Sequence, residues 1–236
     1  MAVDRRANTC TLKFKDDQSS QRLFTLSSGL QTVDAFTESL DSQPQDQPYL
    51  KVPHDPGCQC GRPHSLENSL MVSVDGACRG SGTLAAHAAI GVFFRSGSPY
   101  NQTAIYLGGE VKHTKQRAEL YAGIKALETV EDLFYGPEMA DLEALDDLEL
   151  VVIKTDSEYL VKGITERINI WQGNGWLNMR GLPLANADLF QRLDDLVEEL
   201  KEDDITVKFL QVRRELNAEV SEFANSAFNG IRWECR

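Results

Sequence analysis

Residues Leu148–Ile153 read LELVVI, apolar at every position but Glu149. A run so apolar and so short has the pattern of a parallel-sheet strand buried on both faces. Such a strand needs neighbours on either side and helices above and below. The flanking segments supply them. Met71–Asp75 (MVSVD) alternates apolar and polar residues as a half-buried strand does. His87–Arg95 and Thr103–Gly109 follow as two more strands, joined through the turn-rich stretch Ser96–Gln102. Three strands connected this closely form an antiparallel meander. Thr114 is suited to cap a helix running through Val130, with Leu120, Tyr121, Ile124 and Leu127 on its apolar face. Beyond the buried strand come a short helix from Ser157 and an irregular segment rich in Trp, Gly and Asn. A helix near Asn186–Glu202, a strand at Ile205–Val212 and a helix from Asn217 complete the chain. The order β-β-β-α-β-α-α-β-α implies an α/β fold, a mixed sheet flanked by helices.

The texture changes at Ser69. Residues 69–236 read as the folded domain and residues 1–68 as a largely unstructured N-terminal extension. Ser39–Pro48 (SLDSQPQDQP) is too poor in apolar residues to repay ordering entropy. The islands Leu12–Phe14 and Leu23–Leu26 are suited to docking on a protein partner or on the domain itself. His54, Cys58, Cys60 and His64 place four soft or borderline ligands within eleven residues. Tetrahedral Zn²⁺ would satisfy them and order the linker; the alternative is a turn-rich linker with reduced cysteines. No apolar run reaches the roughly 18 residues of a membrane span, and residues 1–10 lack a signal-peptide core. Five irregularly spaced cysteines fit reduced thiols. The expectation is an intracellular protein of the nucleus or cytoplasm with no membrane partner.

A net charge of −12 argues at first against a polyanion as partner. The charge is unevenly spread. Glu128–Glu149 holds nine acids and no Lys or Arg, and Asp194–Asp204 holds seven acids and one Lys. Outside these blocks the domain is mildly basic, enough for a weak, salt-sensitive hold on nucleic acid.

Three carboxylates fall where a sheet gathers side chains at one edge. Asp75 ends the first strand before Gly76, and Asp156 ends the buried strand before Ser157. Glu119 sits on the first helix beside Ala118, Ala122 and Gly123, small enough for close packing. Groups at the carboxyl ends of central strands converge on one crevice. Carboxylates gathered there repel one another unless hard cations such as Mg²⁺ or Mn²⁺ neutralise them. Read singly, the two aspartates are turn or cap residues and Glu119 is a solvated helix residue.

The segments VDGACRGSG (74–82), QRAELYAGIKAL (116–127), IKTDSEYLVKGIT (153–165), WQGNGW (171–176) and GLPLANADL (181–189) together resemble ribonuclease H, type 1, and most of all its filamentous-fungal members. The resemblance covers roughly residues 70–230. It implies the ribonuclease H-like fold, a five-stranded mixed sheet ordered 3-2-1-4-5. It implies endonucleolytic hydrolysis of the RNA strand of RNA–DNA hybrids, leaving 3′-hydroxyl and 5′-phosphate ends. Two Mg²⁺ or Mn²⁺ ions are implied, with Asp75 bridging both and Glu119 and Asp156 completing their shells. Lys112, Thr114 and Asn186 match a pocket for a DNA-strand phosphate, and Gln116 matches a residue reading the minor groove. Cys78, Arg79 and Gly80 match a loop that meets ribose 2′-hydroxyls.

The chain departs from the pattern at the family's fourth carboxylate. There the stretch reads Asn217-Ala-Glu-Val-Ser221-Glu222, so a neutral Ser221 takes the position and Glu222 lies about 100° further round a helix. Metal ligation by Ser221 or Glu222 is the expectation to test, with weakened hold on one ion. Ser81 and Lys115 stand where the motif usually has Asn. Arg167 replaces a channel Trp, and Gln172 and Gly173 replace lysines of a basic protrusion. Arg213 and Arg214 occupy a loop that often carries a His. Trp171 and Trp176 read as packing residues. An active ribonuclease H, a catalytically impaired domain kept for nucleic-acid or protein binding, and another nuclease of the superfamily are the competing readings.

Overall fold

The computed structural model describes residues 22–25, 40, 43, 48–53, 68–83, 85–106, 112–135 and 147–229. Its strands are β1 (Ser69–Arg79), β2 (His87–Phe93), β3 (Gln102–Tyr106), β4 (Leu150–Thr155) and β5 (Thr206–Gln211). Helix α1 (Lys115–Tyr135) precedes β4. After β4 come α2 (Glu158–Lys162), a π-helical turn (Gly163–Arg167) and α3 (Ile168–Gly173). Helix α4 (Ala187–Glu202) leads to β5, and a 3₁₀ turn (Arg214–Asn217) leads into α5 (Ala218–Ser226). The sheet order is β3-β2-β1-β4-β5. β1–β2 and β2–β3 are antiparallel; β1–β4 and β4–β5 are parallel. This is the mixed α/β sheet expected, with the apolar run at its centre and every residue of β4 buried.

Element ends shift from the expectations. α1 runs on to Tyr135 rather than Val130, and β4 starts at Leu150 rather than Leu148. β1 does not stop at Asp75. Its parallel pairing with β4 ends at Ser73, but β2 holds it in register from Ser73 opposite Phe93 to Arg79 opposite His87. The antiparallel neighbour therefore carries β1 four residues past Asp75.

One face of the sheet packs on α1 through α4, with Val72, Val74, Ile90, Leu120, Ile124, Ile153, Phe190 and Phe209 in one cluster. The other face is divided. α5 and the turn after it cover Ala77 and Ala89 through Ala224 and Phe228. Met71, Leu150, Val152, Leu210 and Val212 are instead covered by Leu40 and Val52, with Phe24, Leu50 and Leu216 at the margin.

The described residues of the N-terminal segment thus lie on the domain. Phe24 N–H donates to Phe209 O and Phe209 N–H to Arg22 O, so Leu23 pairs in parallel with the outer edge of β5. This bridge occupies the outward N–H and C=O of Phe209 in the middle of the edge strand. Arg22 also bridges Asp194 at 2.5 Å and Glu198 at 2.8 Å on α4. Leu50 pairs with Met71, where β1 has no β2 residue opposite. Of the two docking islands, Leu23–Leu26 meets the domain through its described residues; Leu12–Phe14 lies outside the described residues. Val52→Ala should lower stability by about 2 kcal/mol, since it strips two buried methyls from a position fully closed to solvent. A chemical-denaturation midpoint unchanged from wild type would mean the segment is not packed there.

Candidate active site

The β1–β4 register decides where the carboxylates meet. Ser69 pairs with Leu150 and Ser73 with Lys154, and one more step of two residues brings Asp75 level with Asp156. Asp156 lies just beyond the end of β4, before Ser157, the N-cap of α2. Glu119 comes from the second turn of α1, which rests on β1 at Gly76. Asp75 is 3% exposed and Glu119 6% exposed. Carboxylates are rarely buried to that degree without partners.

Their partners are mostly neutral donors. Asp75 Oδ1 accepts from Gly76 N–H at 2.8 Å, and Asp75 Oδ2 accepts from the Ser221 hydroxyl. Glu119 Oε2 accepts from Ser157 Oγ at 2.6 Å, and Lys115 Nζ lies 3.2 Å from Glu119 Oε1. Asp156 Oδ1 accepts from Asn217 Nδ2 at 2.9 Å. Among the described residues Asp156 Oδ2 has no hydrogen-bond donor. Burial pushes the Asp75 carboxyl up from its ordinary range, against the Ser221 hydrogen bond, and the nearby Asp156 charge adds to the rise. Burial likewise pushes Glu119 up, opposed by Ser157 and Lys115.

An all-oxygen carboxylate set fits a hard divalent cation. Among the described residues, however, no three His, Cys, Asp or Glu side chains stand close enough together to hold a metal as they are. The hydrogen bonds give the reason. Like charges this close turn towards whatever donors the protein offers, and Ser221, Ser157 and Asn217 hold one carboxylate each. The carboxylates are gathered but not closed around a centre.

The two residues weighed for the fourth carboxylate's position point different ways. Ser221 faces Asp75, while Glu222 is exposed and makes no ion pair or hydrogen bond among the described residues; Glu219 is also exposed. Two residues read only as helix starts turn out to hold the carboxylates. Ser157 Oγ caps α2 by accepting Leu160 N–H at 3.2 Å while donating to Glu119. Asn217, 1% exposed, donates from one amide nitrogen to Val74 O at 3.0 Å and to Asp156. Their signal was position alone: one follows Asp156, the other opens the stretch that ends in Ser221.

Thr114 and Asn186, two of the three residues matched to a phosphate pocket, are linked by Arg117, a residue the sequence reading left without a role. Thr114 Oγ1 accepts Arg117 N–H at 3.2 Å, which makes Thr114 the helix cap expected. The buried Arg117 guanidinium donates to Asn186 Oδ1 at 3.2 Å and grips Asp188 through both oxygens at 3.1 and 2.7 Å. That pair holds the Asp188 carboxyl below its usual range. Asn186 Nδ2 donates to Tyr159 Oη at 3.0 Å, so its amide is oriented from both ends. Lys112 is exposed beside this region of the chain, and Gln116 is exposed on the first turn of α1.

The loop after β1 is anchored to the same helix start: Gly82 N–H donates to His113 O, and Lys115 N–H to Ser81 Oγ. Gly80 adopts φ +67°, and its carbonyl accepts from the Thr83 hydroxyl at 2.7 Å. Cys78 is half-buried, and the Arg79 guanidinium lies 4.4 Å over the Phe228 ring. Trp171 is buried against Phe190 and Trp176 packs at the core margin, as packing residues do. Arg167, Arg213 and Arg214 are exposed. His54, Cys58, Cys60 and His64 lie outside the described residues.

Residues 67–213 match the family described as RNase H. The chain is 39% identical over 122 residues to a ribonuclease H of Halorhodospira halophila, covering 52% of this chain and 68% of that protein. It is 36% identical over 130 residues to a ribonuclease H of Paracidovorax citrulli, covering 55% and 73%. Against ribonuclease H1 of Rattus norvegicus it is 32% identical over 133 residues, which is 56% of this chain but only 41% of the rat protein. With the mixed 3-2-1-4-5 sheet and a family match over more than half its length, the chain belongs to the ribonuclease H family.

Proposed function

We propose that the chain is an endonuclease that hydrolyses the RNA strand of RNA–DNA hybrids, with Mg²⁺ or Mn²⁺, two ions per site, and with 3′-hydroxyl and 5′-phosphate products. The observation that carries this reading is the gathering of Asp75, Glu119 and Asp156 from β1, α1 and the end of β4, two of them nearly closed to solvent. Asp75 and Asp156 are the residues to hold the cations, with Glu119 completing the set once it leaves its present partners. Bound cations supply an acidified water and neutralise charge on the scissile phosphate.

The remaining residues position substrate. Thr114 and Asn186, oriented through Arg117, offer a hydroxyl and an amide N–H to a DNA-strand phosphate, with Lys112 adding charge. Backbone groups of Cys78, Arg79 and Gly80, with Gln116 on the first turn of α1, would meet ribose 2′-hydroxyls, by which RNA is told from DNA. The hold is expected to be weak and salt-dependent, because outside its two acidic blocks the domain is only mildly basic.

The test is incubation with labelled RNA–DNA hybrid, duplex RNA and duplex DNA in Mg²⁺ and in Mn²⁺. Hybrid-specific cleavage of the RNA strand supports the reading; an intact hybrid under both metals sinks it. The Ser221–Asp75 hydrogen bond favours a second reading, an impaired domain kept for binding nucleic acid or protein. Ser221→Asp separates the two. An added carboxylate should lower the Mg²⁺ needed for half-maximal cleavage by about tenfold. An unchanged Mg²⁺ profile in single-turnover cleavage would show that no ligand is missing.

A further inference from the structure

The family match begins at residue 67, so the N-terminal residues that cover the second sheet face lie outside it. Those described residues are fixed to the domain at β5 and at β1. Leu23 pairs with Phe209, Met71 N–H donates to Leu50 O at 2.8 Å, and Val52 N–H donates to Ser69 Oγ at 2.9 Å. Gln43 ties the stretch carrying Leu40 to the one carrying Leu50. Its backbone N–H donates to Leu40 O at 3.2 Å, its side-chain amide donates to Lys51 O at 2.6 Å, and its side-chain oxygen accepts Lys51 N–H at 2.9 Å. A domain beginning at residue 69 would lose this cover and open Met71, Leu150, Val152 and Leu210 to water, a patch that calls for a partner.

The covered face reaches the carboxylates through one turn. Leu216 packs at the margin of the cluster that Leu40 and Val52 complete, and Lys154 Nζ donates to its carbonyl at 3.0 Å. Arg213, Arg214 and Glu215 are exposed, so Leu216 and Asn217 are the side chains that this turn sends inward. Asn217 is the residue whose amide holds Val74 O and Asp156 Oδ1. A cavity of about 270 Å³ is lined by Leu40 and Leu50 and by residues 215–220. The turn therefore has room to shift wherever that apolar wall recedes.

We propose that the N-terminal segment is a positioning element of the carboxylate site: Leu40 and Leu50 seat Leu216, and the seated turn keeps the Asn217 amide on Asp156. As a statement about cleavage this rests on the nuclease reading above; as a statement about Asn217 it rests on packing alone.

The experiment follows hydrogen exchange of the Asn217 side-chain amide by NMR in the full-length protein, beside single-turnover cleavage of hybrid in Mg²⁺. Leu40→Ala should speed that exchange about tenfold and slow cleavage about tenfold, short of the roughly hundredfold that a misplacement of about 1 Å can cost. Leu50→Ala, at a half-buried position that the fold tolerates better, should move both readouts the same way by about threefold. Leu40→Met, which refills the position, should restore both. Val130→Ala removes buried methyls from the second half of α1 and should leave the exchange of Asn217 at the wild-type rate. Unchanged exchange in the two alanine variants, exchange sped equally by Val130→Ala, or faster exchange with undiminished cleavage would each overturn the proposal. Should Leu40→Ala fail to fold, Leu50→Ala decides alone. If wild type leaves hybrid intact while Asn217 loosens as expected, the nuclease reading falls and the seating of Asn217 stands.

Discussion

Asp75→Asn is expected to reduce hybrid cleavage by on the order of 10³-fold, because it removes the central cation-holding group and several kcal/mol of charge stabilisation with it. The same change should leave the metal-free protein as stable as wild type or more so. Asn keeps an acceptor for Gly76 N–H and exchanges the accepted Ser221 hydrogen bond for a donated one. It also removes a carboxylate whose charge is costly where it lies. The sign follows from linkage. Burial raises the Asp75 carboxyl above its ordinary 3.8, so the folded protein keeps a proton that the unfolded chain releases. Stability contributed by that proton is present below the unfolded value and is lost as pH climbs towards the folded one. Glu119 shifts the same way. Metal-free wild type should therefore lose stability as pH rises from the ordinary carboxyl range, and Asp75→Asn should lose less. Added Mg²⁺ should raise the wild-type Tm by mass action and leave that of the variant unmoved. Thermal unfolding with and without Mg²⁺, beside the cleavage assay, reads all three effects. A variant that is inactive because it is unfolded, or one that still responds to Mg²⁺ like wild type, would contradict the placement of Asp75.

What the sequence disclosed of this site is what a single element can carry. LELVVI implied a central buried strand, and with it the crevice beyond its carboxyl end where Asp156 stands; Asp75 lies inside β1, just past the end of its pairing with β4. The small residues beside Glu119 implied an α1 pressed onto the sheet. The fold order 3-2-1-4-5 came from the resemblance of five motifs, and the observed sheet has it. What stayed hidden depends on registers between distant segments. Asn217 reaches Asp156 across 61 positions and Arg117 reaches Asp188 across 71, and neither pairing leaves a mark in local pattern. Covering of the second sheet face was hidden for another reason. Leu40 and Val52 are scattered among polar and proline residues with no helical or strand period, yet they are buried because β4 and β5 leave apolar surface that α5 does not reach. The net charge misled only until it was localised: Glu128 pairs with Lys125 and Arg192, and Asp194 and Glu198 pair with Arg22, all away from the first turns of α1.

Gly76→Ala should cost more than about 3 kcal/mol or prevent folding, the severe end of overpacking, because the obstacle is backbone rather than a movable side chain. A Cβ at Gly76 would lie 2.2 Å from Glu119 N, 2.4 Å from Ala118 C and 2.8 Å from Ala118 Cβ. Ordinary carbon contacts begin near about 3.5 Å, so α1 would have to retreat from β1 by roughly 1 Å. That retreat separates Glu119 from Asp75 and loosens Leu120, Ile124 and Leu127 in the core at the same time. Stability and cleavage are thus coupled through one absent side chain, the residue directly after Asp75. Gly173→Ala is the control: a Cβ there meets nothing within 4 Å, at the end of α3, and the change should be neutral or stabilising by about 0.5–1 kcal/mol. Denaturation midpoints of the two variants, measured side by side, decide the matter. If Gly76→Ala unfolds at the wild-type midpoint, α1 does not rest on β1 as described, and the convergence of Glu119 with Asp75 loses its structural basis.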